Sequence, residues 1–182
     1  MNTHQIIREE LSKKDEERNI IFLDIHGTLI PEDEGNDCDK NYDPESIKNL
    51  NKLCKKRNAK IVITSTCRNK EPLHQIKDSL YNAGLKCPII SKTPNIDKDQ
   101  RGDEINLWLK KHRVDNFVIL DDKARDIDNI LPGNFVELDA EEVFSKKIIC
   151  WHSIFFKKKM NRSEVSFFLR RSEEHTSELQ SH

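Results

Sequence analysis

The sequence predicts an α/β fold: a Rossmann-like parallel sheet flanked by helices, with a minimal cap. Two observations indicate this fold. Short apolar runs alternate with helical patterns along the chain, and polar residues follow several of these runs directly. Strands that alternate with helices form parallel sheets, and such sheets bind ligands at the carboxyl ends of their strands. The 182 residues suffice for one domain with a proper core.

Five apolar runs are predicted strands. They are short, rich in β-branched and aromatic residues, and apolar without alternation, which is typical of strands covered by helices on both faces. In chain order they are Ile20–Asp24, Lys60–Thr64, Cys87–Ser91, Asn116–Asp122 and the weaker Asn134–Leu138.

Three segments between these runs have the period of amphipathic helices. They are residues 43–58, 71–84 and 99–112. Asp43 is a predicted N-cap, Pro44 occupies the first turn of its helix, and Gly84 is expected to end the second helix. Helix and strand therefore alternate through most of the chain.

The domain organisation is predicted to consist of one folded domain with short extensions. We expect an N-terminal helix over residues 1–18, the domain over 19–145, and a C-terminal segment of unassigned structure over 146–170. The tail, 171–182, resembles the translation of a sequencing adapter and is left out of the fold.

Composition excludes several classes of protein. The net charge of -1 does not indicate a global polycation, and no apolar run is long enough to span a bilayer. The N-terminal segment lacks the apolar centre of a signal peptide. The five cysteines form no Cys-x-x-Cys pair. They predict reduced thiols, a cytoplasmic location and no zinc site.

Polar side chains cluster where three of the predicted strands end. They are Asp24, His26 and Thr28 (with Gly27 between them) after the first strand, Thr64, Ser65, Thr66 and Arg68 after the second, and Asp121 and Asp122 after the fourth, with Arg101 opening the helix before it. Carboxylates at one locus repel each other unless a hard cation lies between them, and oxygen ligands suit Mg²⁺. Such a centre neutralises a phosphoryl group, which a carboxylate can then attack. Thr64 and Arg101 are candidates to bind phosphate oxygens.

The motifs in this order resemble the haloacid dehalogenase (HAD) superfamily. "DIHGT" from Asp24 resembles its first motif, "IVIT" its second, Arg101 its basic third and "ILDD" its acidic fourth. The longer stretches "IVITSTCR" and "RGDEINLWLKKHRVDNFVILDD" resemble the HAD domain of Swiss Army Knife RNA repair proteins. The resemblance covers Asn19–Leu138.

The resemblance implies roles for individual residues. Asp24 would be the nucleophile that forms an aspartyl-phosphate, and Mg²⁺ would be held by Asp24, the backbone carbonyl of His26, Asp121 and Asp122. Thr64 and Arg101 would bind the transferring phosphoryl group, Arg68 would hold a phosphate of the substrate, and Ser65 is a further candidate to bind the substrate.

His26 stands where phosphatase members of the superfamily carry an aspartate that serves as acid and base. Imidazole is competent in both roles near neutral pH, and neighbouring carboxylates favour its proton-donating form. One hypothesis is therefore a Mg²⁺-dependent phosphatase in which His26 replaces the aspartate. The alternatives are an impaired domain that binds Mg²⁺ and phosphorylated ligands without efficient turnover, and an accessory domain of a larger repair protein.

Two further features bear on the substrate. Neither usual insertion point has room for a cap domain, and an open site suits large substrates such as phosphorylated nucleic-acid ends. A basic run on the first domain helix is interpreted as a solvated face, with an RNA-contacting patch as the alternative. Its residues are Lys48, Lys52, Lys55, Lys56 and Arg57.

Overall fold

β1 lies at the centre of a parallel sheet whose strand order is β3-β2-β1-β4-β5. The structure is a computed structural model that describes residues 18–31, 41–96, 100–123, 126–131, 133–138 and 157–158. The elements are β1 (Asn19–Leu23), α1 (Pro44–Arg57), β2 (Ala59–Ile63), a 3-10 turn (Thr66–Asn69), α2 (Leu73–Asn82), β3 (Ile89–Lys92), α3 (Arg101–Lys111), β4 (Asn116–Asp121), α4 (Ile127–Ile130), β5 (Phe135–Glu137) and β6 (Lys157–Lys158).

The predicted α/β fold is confirmed, with all five predicted strands in one sheet. Both ends of each of these strands lie within two residues of the predicted ends. The short β6 pairs antiparallel with the start of β4 and lies in the C-terminal segment that had no assigned structure. The predicted N-terminal helix, apart from Arg18, and the tail from residue 171 lie outside the described residues.

The two faces of the sheet carry separate apolar layers, because successive strand side chains point to opposite faces. Ile21 and Leu23 of β1 belong to the layer that includes α1 and α2. Phe22 points the other way, where its ring and that of Trp108 on α3 lie nearly perpendicular with their centroids 5.4 Å apart. A strand that is covered on both faces has no solvent-exposed side, which is why apolar and polar residues do not alternate along the predicted strands.

Capping accounts for the position of α1. The side chain of Asp43 accepts a hydrogen bond from the Ser46 amide at 2.7 Å, so the predicted N-cap is confirmed. The Asp43 amide in turn donates to the carbonyl of Leu29 at 2.8 Å. The start of α1 is thereby attached to the loop that follows β1.

The prediction of reduced thiols is wrong for Cys54 and Cys87. They form a disulfide that links α1 to the segment before β3, with 5.9 Å between the Cα atoms. Spacing along the chain could not show this pair, because 33 residues separate the two cysteines and the sheet brings them together. Cys67 is buried and lies outside this disulfide.

No helix among the described residues combines the length and the apolar character needed to cross a membrane.

Candidate active site

Two adjacent strands bring the acidic residues together. β1 and β4 pair in parallel with Leu23 opposite Leu120, and the Asp24 amide donates to the carbonyl of Leu120 at 2.9 Å. Asp24 therefore lies beside Asp121, the last residue of β4. This is also where the strand order changes direction, the point at which open α/β sheets bind ligands.

Three carboxylates meet at this point. Asp24, Asp121 and Asp122 each offer one oxygen, and these oxygens all lie within 4.8 Å of one another. Asp24 and Asp121 are buried, whereas Asp122 is partly exposed. The three residues are the side chains expected to hold a metal.

Arg101 reaches this acidic cluster from the first position of α3. Its Nη1 donates to Asp121 Oδ2 at 2.7 Å and to Thr64 Oγ1 at 3.2 Å, and it lies 3.1 Å from Asp24 Oδ1. Burial by itself would lower the pKa of Arg101, but the carboxylates of Asp24 and Asp121 outweigh it and raise that pKa. A fixed cation thus lies between the predicted nucleophile and a predicted metal ligand.

Asp121 has a strongly altered protonation equilibrium. Burial raises its pKa to about 8, and the Asp24 carboxylate adds to the shift while Arg101 opposes it. Its two oxygens are also engaged, since Oδ1 accepts from the Lys123 amide at 3.0 Å and Oδ2 accepts from Arg101. A divalent cation at this site would replace a proton on Asp121.

The turn after β1 depends on Gly27. Its φ of +70° is one that side chains rarely adopt, and a Cβ at this position would lie 2.4 Å from the Asp122 carboxylate. The Gly27 amide donates to the carbonyl of Ile30 at 2.7 Å, which closes the turn. The turn therefore brings the backbone of residues 26–28 directly against the acidic cluster.

His26 occupies this turn and is partly buried. Its Nε2 is buried and has no hydrogen-bond partner among the described residues. A buried ring nitrogen without a partner is unusual in a folded protein, and it is a group to which a substrate or water can bond.

The loop after β2 contributes Thr64 and Ser65, both fully buried. Thr64 Oγ1 accepts from Arg101, as described above, so this hydroxyl belongs to the cluster around the carboxylates. Ser65 Oγ has no hydrogen-bond partner among the described residues. Both residues lie at the carboxyl edge of the sheet, as the sequence predicts.

Arg68 is buried, with 3% of its surface exposed. Its Nη1 donates to the carbonyls of Thr64 and Ser65, the latter at 2.9 Å, and its Nη2 bonds to Glu104. Burial lowers the pKa of Arg68, and the Glu104 carboxylate opposes that shift. In this arrangement Arg68 shapes the loop that carries the two hydroxyls.

Two residues of this network are missing from the sequence prediction. Glu104 pairs with Arg68, and Asp126 accepts from the amides of Gly102 and Asp103 at 2.9 and 3.2 Å, which caps the helix that carries Arg101. The sequence did contain a signal for Glu104. It lies three residues after Arg101, on the same face of α3, immediately before apolar Ile105.

A parallel sheet covered by helices on both faces, with an acidic cluster at its switch point, is the architecture of hydrolase domains of the HAD type. The chain belongs to the family described as the HAD domain in Swiss Army Knife RNA repair proteins, whose model matches residues 20–148. No curated protein and no solved structure shows significant similarity to the chain.

Proposed function

We propose that this protein is a Mg²⁺-dependent phosphomonoesterase that acts through an aspartyl-phosphate on Asp24, with His26 as acid and base. The observation that carries the proposal is the meeting of three carboxylates within 4.8 Å, with Arg101 3.1 Å from one of them and 2.7 Å from another. A structural ion pair needs one carboxylate for each cation. The excess of negative charge favours a divalent cation, whose charge would then allow an anionic substrate to approach.

The donor set fits Mg²⁺. It consists of hard carboxylate oxygens from Asp24, Asp121 and Asp122, with the His26 backbone carbonyl as the further ligand that the family implies. When bound, Mg²⁺ would neutralise charge on the phosphoryl oxygens. The raised pKa of Asp121 is consistent with this role, because a metal can displace the proton that burial favours.

The residues divide the chemistry between them. An oxygen of Asp24 attacks phosphorus while the ester bond to the leaving oxygen breaks, and protonated His26 gives its proton to that oxygen. Neutral His26 then takes a proton from water, which attacks phosphorus and releases phosphate from Asp24. Arg101 and the Thr64 hydroxyl bind phosphoryl oxygens, so the negative charge that develops is met by groups already in place.

The substrate class we propose is the phosphorylated end of a nucleic acid, within RNA repair. The support is the name of the family and the absence of a cap domain among the described residues between β1 and α3. In this proposal Ser65 contributes to the binding of the substrate phosphate, and Arg68 contributes indirectly by holding the loop that carries the hydroxyls of Thr64 and Ser65. Ser65 supplies a hydroxyl that has no partner among the described residues.

A second candidate is a domain that binds Mg²⁺ and phosphorylated ends with little turnover. One observation favours it: His26 stands where the aspartate of the phosphatase members is expected, and its Nε2 is held by no described residue. An acid that nothing orients transfers protons poorly. In this candidate the chain serves as an accessory domain of a larger repair protein.

The deciding experiment is Mg²⁺-dependent phosphate release by the full chain. The substrates are p-nitrophenyl phosphate and oligonucleotides with a 3′- or 5′-phosphate, compared for the wild type, Asp24→Asn and His26→Asp. The exposed Asp78→Asn is the matched control for loss of an acid. Turnover that Asp24→Asn abolishes and Asp78→Asn preserves supports the phosphatase. Turnover only in His26→Asp supports the binding domain, and turnover unchanged in Asp24→Asn excludes the proposed nucleophile.

A further inference from the structure

A groove of about 740 Å³ lies beside α1, on a different part of the surface from the acidic cluster. One wall is the outer face of α1, and the other is the segment 83–88 that joins α2 to β3. We call it the basic groove. Its lining residues include Lys48, Lys52, Lys55 and Lys86, the disulfide residues Cys54 and Cys87, and Asn51.

The charge of the basic groove has one sign. Lys48, Lys52 and Lys55 follow one another along one face of α1 and are exposed, and Lys86 adds an exposed cation from the opposite wall. No acidic residue is among the described residues that line it. The chain as a whole has a net charge of -1, so four positive charges around one concavity are a local concentration.

The walls of the groove are fastened to each other. The Asn51 side chain donates to the carbonyl of Gly84 at 2.9 Å and accepts from the Lys86 amide at 2.7 Å. The Cys54–Cys87 disulfide adds a covalent link between the same walls. The lysines therefore face a preformed cleft. If the basic face of α1 were only solvated, neither the opposite wall nor Lys86 on that wall would be needed.

We propose that the basic groove binds the phosphodiester backbone of single-stranded nucleic acid. With a helical rise of 1.5 Å per residue, Lys48 and Lys52 are about 6 Å apart along the axis of α1 and Lys52 and Lys55 about 4.5 Å, so the three lysines form a row that can follow the phosphates of one strand. A single row of lysines serves one backbone. No aromatic residue on which bases could stack is among the described residues of the lining, so we expect recognition of the backbone, independent of sequence.

The proposal favours a nucleic acid over an acidic protein segment because of what lines the groove. Tight binding of protein segments depends on aromatic or large apolar anchors, and Ile47 is the only large aliphatic side chain among the described lining residues. Backbone phosphates need cations alone. The basic groove starts at Pro44, next to Asp43, whose amide bonds to Leu29 of the loop after β1. Binding in the groove is independent of the proposed function. The further step, in which a bound strand delivers its end to Asp24, rests on the proposed function.

The test is fluorescence anisotropy with the full chain and a labelled single-stranded oligoribonucleotide of about 15 nucleotides without terminal phosphate. The variant carries Lys48→Gln, Lys52→Gln and Lys55→Gln. The matched control carries Lys56→Gln, Lys110→Gln and Lys111→Gln, which removes the same charge from exposed positions outside the groove. We expect the groove variant to bind at least about tenfold more weakly and its salt slope to fall by about 2, and the control to change affinity less than about twofold.

Equal losses in the two triple variants, or no loss in the groove variant, would overturn the proposal. So would tighter binding of a duplex or of poly-glutamate than of the single strand. Thermal unfolding of both variants verifies that they are folded. Hydrolysis of p-nitrophenyl phosphate separates this proposal from the phosphatase. A wild type that binds RNA but releases no phosphate refutes the proposed function alone, and a groove variant that loses binding while hydrolysis persists supports the groove.

Discussion

The guanidinium of Arg101 donates a hydrogen bond of 2.7 Å to the carboxylate of Asp121, and both side chains are buried. The same guanidinium nitrogen lies 3.1 Å from Asp24. One cation thus separates two carboxylates that would otherwise repel each other. The stability of the domain and its capacity for metal are consequently linked through these three residues.

Replacing Arg101 by methionine should destabilise the metal-free protein by about 3–5 kcal/mol, because the buried acids Asp24 and Asp121 lose the cation that bonds to them. Mg²⁺ should recover part of this loss by supplying positive charge at the same place. Denaturant unfolding with and without Mg²⁺ measures both effects. Arg101→Lys keeps the charge and should lose clearly less stability. Equal losses in the two variants would show that the shape of the arginine side chain, and not its charge, stabilises the metal-free protein.

The pKa of Asp121 predicts how stability changes with pH. The folded group has a pKa of about 8, raised from 3.8, so between these values the folded chain holds a proton that the unfolded chain has released. This group therefore lowers the free energy of unfolding progressively as pH rises from about 4 to about 8. Asp121→Asn removes the effect. In metal-free buffer its Tm should exceed that of the wild type by a margin that grows from about pH 5 to about pH 8.

Mg²⁺ supplies the control for that prediction. The wild type should gain Tm with added Mg²⁺ increasingly as pH rises, since the metal competes with the proton, whereas Asp121→Asn should gain little. A Tm margin for Asp121→Asn that shrinks as pH rises in metal-free buffer would contradict the assignment of the raised pKa.

Gly27→Ala should both destabilise the fold and weaken Mg²⁺ binding. A side chain at φ +70° is strained, and its Cβ would collide with Asp122, so we expect a loss of at least about 3 kcal/mol. Gly84→Ala is the matched control, because its φ is +95° but nothing lies within 4 Å of the added Cβ. It should lose only about 1–2 kcal/mol and keep its metal affinity, as measured by unfolding and by Mg²⁺ titration calorimetry.

Asp126→Ala tests whether the cap of α3 positions Arg101. Loss of the cap should cost about 1 kcal/mol and should also lower activity, because Arg101 is the first residue of that helix. Asp43→Ala removes the cap of α1 at a similar cost in stability, away from Arg101, and should keep activity. Steady-state kinetics on p-nitrophenyl phosphate compare the two. Equal kcat/KM values for the two variants would argue against a positioning role.

Glu104→Gln should destabilise the domain by about 3 kcal/mol, because the buried guanidinium of Arg68 loses its counter-charge. Chemical denaturation measures the loss. A double variant, Arg68→Leu with Glu104→Leu, leaves no uncompensated charge and should recover a large part of that stability. If the double variant is as unstable as Glu104→Gln, packing in this region is the cause and not the unpaired charge.

Much of the fold could be read from local pattern. The strands and helices followed from apolar periodicity, and Asp43 was recognisable as an N-cap because the cap and its helix are adjacent in sequence. The acidic cluster was also predictable, since parallel strands place their carboxyl ends at one edge. Asp24 and Asp121 meet there although 97 positions separate them.

The partners of side chains were not predictable in this way. The engagement of Arg68 by Glu104, the Cys54–Cys87 disulfide and the second wall of the basic groove each join segments far apart in sequence. The sequence by itself determined which elements form and which residues stand at the strand ends, because these depend on neighbours along the chain. Only the tertiary structure decided which buried charge meets which, because such pairing depends on how helices pack across the finished sheet and on the cost of leaving a buried charge alone.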